Sequence, residues 1–446
     1  MCEVIVRGVT IVTVDAESHI SSGDVAAIDG ELVQVGGDYT PRTRDYEILD
    51  ASGCVVMPGL VQSHTHLCQT LARGAGDDLE LLDWLRNVVW PYEASLDAED
   101  VGAAAKLACA ELLLGGTTAV LDMGTVHHTE QIFRACQDAG LRATIGKVMM
   151  DESSSDIPAP LRENTKSSLD QSIRLCEDWH GRANDRLRYA FTPRFVLSCT
   201  ETLLRDSAAE ARRRGSRLHT HSSENQSELD EVVRRTGKRN LSYLHDIGFT
   251  GADVGLAHCI WLDDEEARIL RETGTHVLHC PSSNLKLGSG IAHIPELAAT
   301  GVSVSLGADG APCNNNLDGF LEMRLCALLH KPRAGTTAMP ASQVVRLATM
   351  GGANALGLGD RIGSLEVGKR ADIIAVAVDG PHVVPTENPY SALVYAARGS
   401  DVRHVLVDGS VTVRDRQLMT IDKDQALDDA RRRAPAILRR AKAFTQ

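Results

Sequence analysis

The sequence predicts an α/β fold, a (β/α)8 TIM barrel carrying a small β-sandwich domain formed by both chain ends. Three observations predict it. Strand-like and helix-like segments alternate over roughly 250 residues. Helix-poor, β-rich stretches flank that region on both sides. His and carboxylate residues recur where successive strands would end. We place the N-terminal part of the β-sandwich at 1–57, the catalytic barrel at 58–364, and the C-terminal part with a terminal helix at 365–446.

The first ~55 residues read as β structure, because short apolar runs at Val4–Val6, Thr10–Val14, Val25–Ile28 and Leu32–Val35 are split by Gly and Asp. Eight candidate barrel strands follow, at 60–66, 117–123, 142–148, 187–194, 216–222, 254–259, 275–280 and 302–309. Helical stretches such as Ala103–Leu114, Glu130–Ala139, Glu201–Arg213, Asp264–Glu272 and Leu317–Leu329 separate most of them, which implies parallel pairing. The alternative is an open doubly wound sheet. No Gly-rich phosphate loop follows the first of these strands, which weakens it. After ~365 the chain returns to β runs at Ala371–Val378, Val402–Val407 and Ser410–Val413, with a hairpin signal at Asp408-Gly409. A helix over roughly 422–443 closes the chain, its Arg431–Arg433 and Arg439–Arg440 groups read as a solvated face.

Composition excludes several classes. The net charge of −14 argues against nucleic-acid and anionic-membrane partners, which need basic patches. No apolar run has the length of a membrane span, and no secretory signal precedes the first strand. Eleven cysteines without a CxxC pair fit neither a disulfide framework nor a zinc ribbon. Cys109, Cys199, Cys259 and Cys280 lie in or beside apolar runs and read as small buried hydrophobes. Reduced thiols fit a cytoplasmic location.

Catalytic groups of such a barrel sit at the C-terminal ends of its strands. The first strand ends in His64-Thr65-His66, where i and i+2 share a face and two imidazoles can grip a divalent metal. The fifth ends in His219-Thr220-His221-Ser222-Ser223-Glu224, the sixth in Ala257-His258-Cys259 and the eighth in Gly307-Ala308-Asp309. Three His and one carboxylate make a first shell for zinc or ferrous iron, which lowers the pKa of a bound water toward neutrality. A nearby Asp can take that water's proton, and a Glu can deliver one to the substrate. His219 and His221 share a face, so the spacing leaves the choice between them open. His127, His128, His276, His279 and His293 lack a matching carboxylate or spacing and read as structural.

These residues resemble the amidohydrolase superfamily, in the branch of methylthioadenosine/S-adenosylhomocysteine deaminases, guanine deaminases and triazine hydrolases. The likeness runs from Val56-Met57-Pro58-Gly59 to Gly363-Ser364-Leu365-Glu366-Val367-Gly368-Lys369-Arg370-Ala371-Asp372. It implies one zinc, with ferrous iron as the alternative, held by His64, His66, His221 and Asp309. His221 is preferred because the branch's His-x-x-Glu pattern is met by His221 and Glu224. Glu224 would shuttle protons to a ring nitrogen and the leaving amine, His258 would orient the nucleophile, and Asp309 would double as ligand and base. The fourth strand ends in Arg194 rather than in the bridging lysine of two-metal relatives.

Substrate markers divide. Cys280–Gly290, Asn314–Leu317 and Glu322–Arg324 are similar to adenosine-type deaminases, and Trp90-Pro91-Tyr92-Glu93 resembles their ribose-binding segment, making Glu93 a substrate contact. Gln69 and Arg194 are instead similar to guanine deaminases, where such a pair holds the purine's polar edge. Val61–Leu71 resembles the triazine hydrolases. The resemblance therefore implies a hydrolytic deaminase acting on an amino-substituted purine-like heterocycle, with a slight preference for adenosine-type nucleosides. A guanine-like or pterin base is the first alternative and a triazine amino- or chlorohydrolase the second. An inactive scaffold of the same fold would have lost ligands that are all present here. Partners implied are a small-molecule substrate, water and further copies of the chain in a homo-oligomer. The segment 67–100, with Trp84 and Trp90, is expected to form a lid or pocket wall.

Overall fold

Eight parallel strands close around a packed interior in the computed structural model, which describes residues 2–152, 154 and 156–445. Strands β1 (Glu3–Val12), β2 (Ile20–Ile28), β3 (Glu31–Val35), β4 (Tyr46–Asp50) and β5 (Cys54–Pro58) precede the barrel. The barrel begins with β6 (Leu60–Thr65), β7 (Thr117–Met123), β8 (Arg142–Gly146), a short β9 (Val148–Met149) and β10 (Leu187–Pro193). It continues with β11 (Arg217–Ser222), β12 (Val254–His258), β13 (His276–His279) and β14 (Val304–Leu306). Strands β15 (Ile373–Ala377), β16 (Val402–Val407), β17 (Ser410–Arg414) and β18 (Gln417–Leu418) follow.

The barrel order is β6-β7-β8-β10-β11-β12-β13-β14, every neighbouring pair parallel, with β9 beside β10. The first and last strands meet through Asp309 N–H donating to His64 O (3.0 Å) and Ser63 Oγ donating to Leu306 O (2.9 Å). The ring is thereby closed, as parallel strands with buried faces require. Each predicted barrel strand is present, the second over its full predicted range and the others with shifted or trimmed ends. The third breaks at Lys147, whose backbone N–H donates to the Tyr189 hydroxyl (3.3 Å) while its ammonium meets both Glu163 oxygens at 2.7 Å. The eighth stops early because Asp309 turns into the left-handed region at φ 61°.

Both chain ends build one nine-stranded sheet, ordered β18-β17-β16-β15-β5-β1-β2-β3 with β4 also on β1. Its apolar interior gathers Val4, Ile11, Val25, Val56, Ile373 and Leu406 from strands at opposite ends of the sequence. Arg142 ties it to the barrel, donating to both Asp372 oxygens (2.8 and 2.9 Å) and to Asp408 (3.0 Å). Cysteines are all free, and all but Cys2 are buried. Among the described residues no helix is long and apolar enough to cross a membrane.

One surface expectation is corrected. The terminal helix Lys423–Ala441 does not present all its arginines to solvent. Arg433 (3.0 Å) and Arg440 both reach the buried Asp100, which with Asp97 forms the capping box of the helix Ala98–Leu114. Asp100 is 2% exposed, so its charge is neutralised by the arginines rather than by water. Arg431 and Arg432 pair only with Asp428 and Asp429 of their own helix and stay exposed.

Candidate active site

Alternation along β6 turns His64 and His66 to one side, and alternation along β11 does the same for His219 and His221. The His64 ring centroid lies 4.9 Å from His66, 4.8 Å from His221 and 5.5 Å from His258. Asp309 joins them, its Oδ1 lying 3.2 Å from His64 Nε2 and 3.3 Å from His66 Nε2. His64, His66, His221 and Asp309 each offer one ligand atom within 4.8 Å of the others, all buried. The spacing had left His219 in balance with His221. His219 lies behind the cluster, with Nε2 2.9 Å from His64 Nδ1.

The hydrogen bonds set which nitrogens are lone pairs. His66 Nδ1 donates to Met123 O and His221 Nδ1 to Arg194 O, both at 2.7 Å. Burial holds both imidazoles neutral, His66 down to about 3 and His221 well below its ordinary value. A neutral ring that donates at Nδ1 carries only a lone pair at Nε2. Yet the Nε2 atoms of His66 and His221 face each other at 3.3 Å. His64 Nε2 and His258 Nε2 are buried without a hydrogen-bond partner among the described residues. Converging lone pairs beside a carboxylate repel one another unless a cation lies between them, so these residues fit a divalent metal.

Glu224 follows β11 in the turn before the helix Gln226–Thr236, whose capping residue Glu228 accepts the Glu224 backbone N–H (2.7 Å). Its Oε2 is 3.4 Å from His258 Nε2. Burial, reinforced by the charges of Asp309 and Glu228, pushes the Glu224 carboxyl well above the usual carboxylate range. That direction favours the protonated form that a general acid needs. His258 and Asp309 both take positive φ, 72° and 61°, and Ser223 takes 55°. Such strain persists only where surrounding structure holds it, and it clusters at active sites.

The space in and above the pocket over this cluster, open solvent included, is about 360 Å³. His66, His221, Glu224, His258 and Asp309 line its polar side. Leu81, Trp84 and Leu85, from the segment 67–100, line the apolar side with Phe195. That segment is thus a pocket wall. The mix of apolar wall and few polar groups suits a small ring system.

The three proposed substrate contacts lie together. Arg194 lines the pocket but donates to both oxygens of Glu93 (2.6 and 3.3 Å), and Gln69 donates to Glu93 Oε1 at 2.8 Å. Glu93 and Gln69 stand behind Arg194. The Arg194 and Glu93 side chains are 3% and 2% exposed. Removing one member leaves a buried unpaired charge, which costs about 3–5 kcal/mol. Arg194→Ala is therefore expected to lose about that much stability in chemical denaturation; an unchanged midpoint would mean that the pair is not buried in solution.

Positioning groups that sequence reasoning missed come from the short helix Pro281–Lys286 after β13. Asn284 Oδ1 accepts from His258 Nδ1 (2.8 Å), which leaves His258 Nε2 free toward the pocket. Ser283 Oγ donates to Asp309 Oδ2 at 2.6 Å. The signal was the Cys280–Gly290 motif, noted for its likeness but given no roles. Glu322 clamps this helix to the short helix Ala311–Asn314 after Asp309, accepting from Ser282 N (3.1 Å), Ser282 Oγ (2.5 Å) and Asn314 Nδ2 (2.9 Å). Burial pushes its carboxyl up to about 7. The folded chain then binds a proton that the unfolded chain, near 4.5, releases, so stability falls as pH rises between about 4.5 and 7. Glu322→Gln is expected to flatten the Tm–pH profile across that window, and an unchanged slope would assign the effect elsewhere.

Residues 55–412 match the amidohydrolase family. The chain is 41% identical over 425 residues to a 5-methylthioadenosine/S-adenosylhomocysteine deaminase of Syntrophobacter fumaroxidans, covering 94% of this chain and 95% of that one. It is 39% identical over 445 residues to a 5'-deoxyadenosine deaminase of Methanosarcina acetivorans, covering 99% and 100%. Its fold superposes on a crystal structure of an adenosine deaminase from Xanthomonas campestris with bound zinc at a TM-score of 0.91, with 30% identity over 98% of each chain. With barrel, chain-end sheet and rim of histidines in place, the chain belongs to the amidohydrolase family.

Proposed function

We propose that the protein is a zinc-dependent hydrolytic deaminase of adenosine-type nucleosides, taking 5'-modified adenosines such as methylthioadenosine, S-adenosylhomocysteine and 5'-deoxyadenosine. The observation that carries this reading is the identity of about 40% to deaminases of such nucleosides over nearly the whole chain. His64, His66, His221 and Asp309 would hold the metal. Three imidazoles and one carboxylate suit zinc, which the structural relative also holds. When bound, the metal supplies a water made acidic enough to act as nucleophile near neutral pH.

The chain's own groups do the rest. Asp309 takes a proton from the attacking water at its carboxylate. His258 Nε2, between Glu224 (3.4 Å) and Asp309 (3.9 Å), orients that water. Glu224 donates its proton to the ring nitrogen beside the amine-bearing carbon and then takes the proton of the added hydroxyl. Asp309 passes the proton it took from water to the departing amine, so both carboxyl groups return to their starting states. Addition at that carbon and departure of the amine turn the aminopurine and water into an oxopurine and ammonia. The apolar wall of Leu81, Trp84 and Phe195 packs the ring and excludes other water. Arg194, held by Glu93 and Gln69, presents its guanidinium at the substrate's edge. The buried free cysteines support a reducing compartment, the cytoplasm.

A guanine- or pterin-like base is the second reading, favoured by Arg194 at the pocket wall. Turnover across methylthioadenosine, S-adenosylhomocysteine, 5'-deoxyadenosine, guanine, a pterin and melamine separates the two. The expected pattern is high kcat/KM for the nucleosides alone; turnover of guanine or the pterin alone would overturn the nucleoside reading.

A further inference from the structure

A second cluster of metal-binding side chains lies outside the pocket. His279 is the last residue of β13, while Cys326 and His330 stand four residues apart at the end of the helix Gly319–Leu329 and share one face. One donor atom from each lies within 4.8 Å of the other two, and all three residues are buried. None of them lines the catalytic pocket. No ring nitrogen of His279 or His330 has a hydrogen-bond partner among the described residues. The two rings, 5.7 Å apart and tilted by 41°, are neither stacked nor bonded to each other.

A neutral imidazole brings a lone pair, and buried imidazoles nearly always engage it. We propose that His279, Cys326 and His330 form a closed three-ligand site for a soft, thiophilic cation, Cu+ in preference to Zn2+. Two imidazoles and a thiolate are the donors such ions select, and hard cations such as Mg2+ and Ca2+ avoid them. Bonds of about 2.0–2.3 Å put trigonal ligand atoms roughly 3.5–3.8 Å apart, so a shift of about 1 Å closes the set. Charge decides between the candidates. Cu+ with one thiolate is neutral, whereas Zn2+ leaves a net positive charge in the interior, which is costly to bury.

Binding exchanges a proton for the metal. The S–H bond of Cys326 breaks, an S–Cu bond forms, the proton leaves to solvent, and copper stays Cu+. Burial and the charge of Glu322 push the thiol up to about 12, so the exchange tightens as pH rises. The bound ion would staple β13 to the helix Gly319–Leu329, and so fix the short helix that carries Ser283 and Asn284.

The test titrates the zinc-loaded protein with Cu+ anaerobically against bathocuproine disulfonate and counts the copper retained per chain. One equivalent in the wild type, absent from both Cys326→Ser and Cys326→Ala with catalytic zinc unchanged, is the expected result. Copper K-edge absorption should then show one sulfur and two nitrogen neighbours. No retained copper, equal copper in wild type and both variants, or an all-sulfur shell from other cysteines overturns the proposal. The two small substitutions guard against a single variant that fails to fold.

Discussion

Replacing Glu224 by Gln is expected to lower kcat for nucleoside deamination by about 10²–10⁴-fold and to leave the metal content unchanged. The size follows from general acid catalysis. Burial, with Asp309 and Glu228 close by, keeps the Glu224 carboxyl protonated well above the usual range. Gln matches its shape but has no acidic proton to give. The side chain approaches His258 rather than the proposed ligands' ring nitrogens, so the amide should leave them undisturbed. The sign of the pH dependence follows: wild-type kcat falls as pH rises through the raised Glu224 pKa, and the variant loses that limb. Steady-state ammonia release with metal analysis checks both halves. Full activity in the variant would remove Glu224 from the mechanism.

Asp309→Ala and His221→Ala are expected to lose both metal and turnover. Altering groups that merely support ligands costs about 10–100-fold in metal affinity, so losing a ligand should cost more than that. Asp309 has further duties. It accepts from Ser283 Oγ (2.6 Å) and Gly310 N (2.8 Å), and its backbone closes the barrel against β6. His221→Ala is the cleaner variant, because only its Nδ1 bond to the Arg194 carbonyl is lost. Zinc content after dialysis against a weak chelator, with residual ammonia release, reports the result. Retention of stoichiometric zinc by His221→Ala would exclude it as a ligand and return the choice to His219.

The barrel was legible because its strands are apolar runs spaced by helices, and parallel strands buried on both faces read as continuous hydrophobic segments. The candidate site was legible where chemistry sits at a strand's exit, as with His64, His66, His258 and Asp309, while the choice of His221 over His219 came from the family resemblance. Interactions between distant segments were not. Glu93 and Arg194 are 101 residues apart, and nothing local signals that each is the other's buried counter-ion. The arginines of the terminal helix looked solvated because their partner Asp100 lies 333 and 340 residues away. His279 read as an isolated histidine for the same reason, since Cys326 and His330 reach it only through the fold. Backbone effects were equally silent: nothing in the residue types of His258 and Asp309 announces positive φ.

The most direct test is ammonia release from methylthioadenosine by one preparation, assayed as purified, after removal of metal by a chelator, and after zinc is returned. The expected result is ammonia equal to substrate consumed, abolished by the chelator and restored by zinc near one equivalent at the His64–His66–His221–Asp309 site. Ammonia release indifferent to metal removal, or none from the nucleoside while guanine is consumed, would contradict it.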